Sequence, residues 1–149
     1  MLKQKLQEEL KQSMLAKDSL RTSVLRMLLS AINYYEIQKG GAGYEATDED
    51  VLSVIQKEAK QRRDSIEEFK KANRPELVEK EEKELEMLQV YLPQQMSEEE
   101  IKALVKEAIN QTGAKTMADM GKVMGALMSK IKRKADGNLV SKIVRDSLQ

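Results

Sequence analysis

Apolar residues recur along this chain at three- and four-residue intervals, and no stretch alternates between apolar and polar as a half-buried strand would. That spacing places side chains on one face of an α-helix. Leu2, Leu6, Leu10 and Met14 predict a first helix over about 2–16. Leu20, Val24, Met27, Leu28, Ala31, Ile32 and Tyr35 form the stripe of a second, which Asp18 or Ser19 can cap. The run Gly40-Gly41-Ala42-Gly43 ends it, because glycines forfeit helix propensity, and reads as a flexible connector. Thr47 followed by Asp48, Glu49 and Asp50 is a cap with an acidic first turn. Val51, Ile55, Ala59, Arg62, Ile66 and Phe69 carry that third helix to about residue 72. Asn73-Arg74 breaks it, and Pro75 suits the first turn of a fourth helix with Leu77, Val78, Leu85, Leu88 and Leu92 inside.

Pro93-Gln94-Gln95-Met96 marks a boundary. Ser97 with Glu100 is a capping box, so a helix starts there; Ile101, Leu104, Val105, Ala108 and Ile109 are its buried stripe and Gly113 its stop. Thr116 can cap a sixth helix running through Met120, Met124, Leu127 and Ile131. Asp136-Gly137 turns the chain into a seventh with Leu139, Val140, Ile143, Val144 and Leu148. The fold class is therefore all-α: a four-helix N-terminal module of two helical hairpins over 1–93, then a small three-helix module over 97–149.

Composition narrows the chemistry. The chain has no Cys and no His, which excludes disulfides, thiolate zinc sites, Cys nucleophiles and imidazole-based triads. We assign no catalytic residue, no metal ligand and no cofactor. Its 149 residues carry a net charge of +1, but the charge is unevenly placed: residues 1–96 hold 16 basic and 18 acidic side chains, residues 97–149 hold 10 and 7. No window approaches the ~18 apolar residues of a membrane span. The start, Met1-Leu2-Lys3-Gln4-Lys5, lacks the apolar core of a signal peptide, and a cytoplasmic location is the expectation.

Several motifs divide between a chemical and a structural reading. The glycine run lies between helices and lacks the Gly-Lys-Ser/Thr of a phosphate loop. Glu79-Lys80-Glu81-Glu82-Lys83-Glu84 reads as a solvated face with Glu-to-Lys pairs four apart, not as a metal cluster. Met117, Met120, Met124 and Met128 share a face with Val123, Leu127 and Ile131, and core is the expectation for them. Gly121 and Gly125 would each cost about 1 kcal/mol in a helix, so close packing by another helix is expected there. Lys130-Ile131-Lys132-Arg133-Lys134, with Lys122 and Lys142, is a candidate surface for a phosphate backbone. No aromatic accompanies it, so reading of unpaired bases by stacking is not expected.

Leu25-Arg26-Met27-Leu28, Lys60 through Phe69, Tyr91-Leu92-Pro93, Asp119 through Gly125 and Lys134 through Val140 together resemble the YqeY family, essentially end to end. The C-terminal half of that family is similar to the tail domain of GatB, a subunit of the glutamine-dependent tRNA amidotransferase, which contacts the outer body of tRNA. The resemblance implies an accessory protein that binds tRNA or other structured RNA, or an adaptor to a tRNA-handling enzyme. The candidate contacts are Lys122, Lys130, Lys132, Arg133, Lys134 and Lys142. Neither the Ser-Ser-Lys arrangement of the amidase subunit nor the ATP-using domain of GatB is present. A role as a carbon–nitrogen ligase with glutamine as amido-N-donor would thus require partner subunits. A helical protein–protein adaptor without RNA binding is the alternative.

Overall fold

The computed structural model describes residues 1–149. It contains seven α-helices and no strand: α1 Leu2–Leu15, α2 Ser19–Gly40, α3 Asp48–Lys71, α4 Pro75–Gln89, α5 Glu98–Thr112, α6 Met120–Ile131 and α7 Gly137–Leu148. The all-α expectation holds. The chain divides into two compact units, Met1–Leu92 and Pro93–Gln149.

In the first unit α1 pairs with α2 and α3 pairs with α4. Leu6, Val24, Leu25, Leu28, Ile32, Val51, Ile55 and Leu88 are buried at its centre. Asp18 caps α2 by accepting from Arg21 N at 3.1 Å. Thr47 and Asp50 form a reciprocal capping box on α3. Met14 and Met27 were expected inside and stand about half exposed. The buried stripe of α2 runs through Leu25, Leu28, Ile32 and Glu36, and Met27 falls outside it.

The connector after α2 is tied down, contrary to the flexible loop expected there. Asp50 accepts from Tyr35 Oη and Lys39 Nζ, each at 2.9 Å, from Thr47 N at 3.0 Å, and from the Tyr44 hydroxyl. Glu36 accepts from Lys3 Nζ at 2.7 Å and Ala46 N at 2.8 Å. Tyr44 folds back so closely that a Cβ on Gly40 would lie 2.7 Å from its Cβ. Two buried carboxylates thus take up donors a loose loop would leave to water.

The acidic run of α4 is also only partly solvated. Glu79 pairs with Lys83 at 3.1 Å on the exposed side. Glu84, however, is 6% exposed and faces Arg62 of α3, also 6% exposed, with Glu84 Oε2 3.4 Å from Arg62 Nε. α4 ends at Gln89, short of the expected Leu92, although Leu92 is still buried.

The second unit packs α5, α6 and α7 around Ile101, Val105, Val123, Leu127, Val140 and Val144. Ser97 and Glu100 form the predicted capping box, and Gly113 closes α5 in the left-handed conformation, φ 69°. A single 3-10 turn, Met117–Asp119, precedes α6. The methionine stripe splits. Met120 and Met124 pack on the core, whereas Met117 is 40% and Met128 54% exposed, because the core face of α6 is centred on Val123, Leu127 and Ile131.

Candidate functional site

The basic segment occupies the turn from α6 into α7, and its backbone is held at several points. Lys134 N donates to Ile131 O at 2.9 Å, and Met96 N donates to Lys134 O at 2.7 Å. Gln95 Nε2 donates to Arg133 O at 2.8 Å. Ile131 and Ala135 are buried on either side of Lys132, Arg133 and Lys134. The residues read as an interdomain boundary therefore brace this turn. Arg133 adopts a left-handed conformation, φ 62°, which costs a non-glycine residue roughly 1 kcal/mol. Lys130, Lys132 and Lys134 are exposed and Arg133 is half-buried.

The other candidates are distributed around the unit. Lys130 lies 3.7 Å from Glu107 of α5, and Lys122 lies 4.0 Å from Asp119. Exposed pairs of this kind contribute about 0–1 kcal/mol, too little to commit either lysine against a stronger anion. Lys142 lines a groove between α5 and α7 with Lys102, Lys106, Glu98 and Asp146, over a floor of Ile109, Leu139 and Ile143. Lys102 and Lys106 were not among the expected contacts, and Lys102 lies 3.5 Å from Glu98. Their four-residue spacing on one helix face was legible, but only the packing of α7 against α5 brings them beside Lys142.

The two glycines depart from expectation most clearly. A Cβ built on Gly121 or Gly125 would meet no atom within 4 Å, so no helix packs against either. Both face solvent, on the side of α6 away from Val123 and Leu127, with Lys122 and Ser129 exposed beside them. The result is a helix surface without side chains at two successive turns, flanked by Lys122 and followed by the exposed Met128. Asp119 anchors its start by accepting from Lys115 N at 3.0 Å and Thr116 N at 3.4 Å; these two bonds, Lys115 first, hold its carboxyl below the usual range.

Comparison with known proteins adds relatives. A protein named altered inheritance of mitochondria protein 41, mitochondrial, from Lachancea thermotolerans is 44% identical over 109 residues, covering 71% of this chain and 57% of its own. The protein of the same name from Pyrenophora tritici-repentis is 36% identical, covering 95% of this chain and 78% of its own. That from Vanderwaltozyma polyspora is 39% identical, covering 58% and 46%. The chain thus spans about half the length of two of these three relatives. Their names overturn the cytoplasmic expectation, which rested on the lack of a secretory signal, a feature that bears on secretion alone. No helix is long and apolar enough to cross a membrane. The family model described as Yqey-like protein matches residues 3–148, and with that coverage the chain belongs to the Yqey-like family.

Proposed function

We propose that this chain is an accessory RNA-binding protein whose C-terminal unit grips tRNA or another structured RNA by shape and phosphate contacts. The supporting observation is the braced turn Lys130–Lys134. Its four cationic residues are presented on a backbone fixed by three hydrogen bonds and two buried neighbours. A fixed cationic turn loses little conformational entropy on binding, unlike the same charges on a loose tail. The bare ridge at Gly121 and Gly125 lets a phosphate backbone approach α6 closely, and Lys122 stands beside it. The absence of aromatics from the second unit fits recognition of a folded outline in place of unstacked bases. A role as adaptor to a tRNA-handling enzyme would use the same grip.

The test is tRNA affinity as a function of salt. With about four phosphates contacted, log K should fall against log salt with a slope of roughly −3. Replacing Lys130, Lys132, Arg133 and Lys134 together by Glu should remove most binding and flatten the slope, with the helical circular dichroism unchanged. The reversals Lys80→Glu and Lys83→Glu in α4 should do little. Binding indifferent to the four reversals would reject this turn as the site. No salt-sensitive binding in any variant would reject the RNA reading and leave the protein adaptor ahead.

A further inference from the structure

α2 carries two faces. The inner one holds Leu25, Leu28 and Ile32. On the opposite side Ser23, Met27, Ser30, Tyr34 and Ile37 follow each other at spacings of four, three, four and three. That is the repeat by which one helix presents a continuous seam to another. Met27 is 49%, Tyr34 66% and Ile37 62% exposed, and Ser23 and Ser30 are exposed as well. Charge is nearly absent here: between Thr22 and Gln38 the only exposed charged residue is Arg26. The exposed side of α3, by contrast, carries Glu49, Lys57, Asp64, Glu67 and Glu68. In a chain that is 34% charged, a solvent-facing helix side with one charge and three large apolar residues is out of character.

We propose that this seam pairs with the same seam of a second copy of the chain, the two α2 helices running antiparallel. The order of large and small residues selects that occupant and direction. An antiparallel register that sets Tyr34 on Ser30 of the second copy also sets Met27 on its Ile37. Each bulky ring then faces a small residue, twice over by symmetry. A parallel pair would stack Tyr34 on Tyr34 and bring the two Arg26 side chains together. In the antiparallel pair Arg26 lies across from uncharged Gln38. Its guanidinium already leans toward α1, with one nitrogen 3.9 Å from Met14 Sδ, leaving the seam clear. Five positions a side make a small interface, below the roughly 1,200 Å² of stable complexes, so association is weak and follows concentration.

Sedimentation equilibrium of the full chain from about 5 to about 500 μM should show a monomer–dimer equilibrium in that weak-interface range. It should hardly respond to salt, which separates it from RNA binding. Tyr34→Arg and, separately, Ile37→Lys should each weaken dimerisation at least tenfold without loss of helix, since both side chains are exposed; Asp64→Arg on α3 should not. The chain has no cysteine, so engineered ones are unambiguous. Met27→Cys mixed with Ile37→Cys should give the mixed disulfide in preference to either homodimer. A monomer at every concentration, a dimer insensitive to both charged substitutions, or preferred homodisulfides would each overturn the proposal.

Discussion

Gly125 stands in mid-helix on the outward ridge of α6 with open space where a side chain would be. Glycine there costs about 1 kcal/mol relative to alanine, and no packing inside the protein requires it. Gly125→Ala should therefore raise stability by about 1 kcal/mol in thermal unfolding, and Gly121→Ala, nearer the helix start, by less. If the ridge admits an RNA backbone, the same substitutions should weaken tRNA binding while stabilising the fold. Unchanged affinity would remove the ridge from the interface. Gly40 is the opposite case. A methyl there meets Tyr44 at 2.7 Å, and Gly40→Ala should cost about 1–3 kcal/mol despite the better helix propensity. From the sequence Gly40 belongs to a loose connector and Gly121 and Gly125 to a closely packed helix face, the reverse of what the structure shows. What differs is the neighbour, and a neighbour is a tertiary fact.

At the scale of elements, α3 and α4 are joined by more than apolar packing. Arg62 is buried between Glu58, at 3.4 Å, and Glu84, and its Nε has no hydrogen-bond partner. Burial and the neighbouring Glu84 charge push the carboxyl of Glu81 up, which marks the acidic side of this contact as crowded. Breaking a buried ion pair leaves one charge without its partner and typically costs about 3–5 kcal/mol, whereas replacing both partners by apolar groups is close to neutral. Glu84→Leu alone should be strongly destabilising. The double variant Arg62→Met/Glu84→Leu should recover most of the loss in urea unfolding, and additive losses would refute the coupling. Arg62 already fell on the apolar stripe of α3 in the sequence. Its partner did not stand out, because Glu84 sits among five neighbouring charges that differ only in where the helix turns them.

The whole molecule holds two cores, one in each unit, and all its aromatic residues lie in the first unit. That unit also holds Glu36 and Asp50. The Lys3 bond lowers the carboxyl of Glu36, and the Tyr44 hydroxyl, followed by Lys39, lowers that of Asp50. Both ionise more readily folded than unfolded, so the unfolded chain binds more protons as pH falls. Their contribution is complete above the ordinary values of 4.5 and 3.8 and is lost below them. Glu81 has the opposite sign and offsets part of this. In the second unit the carboxyl of Asp119 is held low. Acid titration should therefore change tyrosine fluorescence, which reports the first unit alone, at a higher pH than the last of the helical circular dichroism. Glu36→Gln should reduce the pH dependence of the tyrosine signal. Coincident transitions, or helix loss preceding the tyrosine change, would count against this.

Helix positions and caps were legible because they depend on residues three or four apart: Thr47 with Asp50, Ser97 with Glu100 and the turn at Gly113 all appear where the local pattern places them. The basic turn was legible as composition. Its bracing by Gln95 and Met96 was not, since those residues lie nearly forty positions earlier and meet it only when the second unit closes. The same holds for Lys102 and Lys106 beside Lys142, for Glu84 against Arg62, and for the open ridge at Gly121 and Gly125. Periodicity shows which side of a helix is apolar. Which sides become covered depends on long-range packing, and that packing left Met27, Tyr34 and Ile37 exposed on α2.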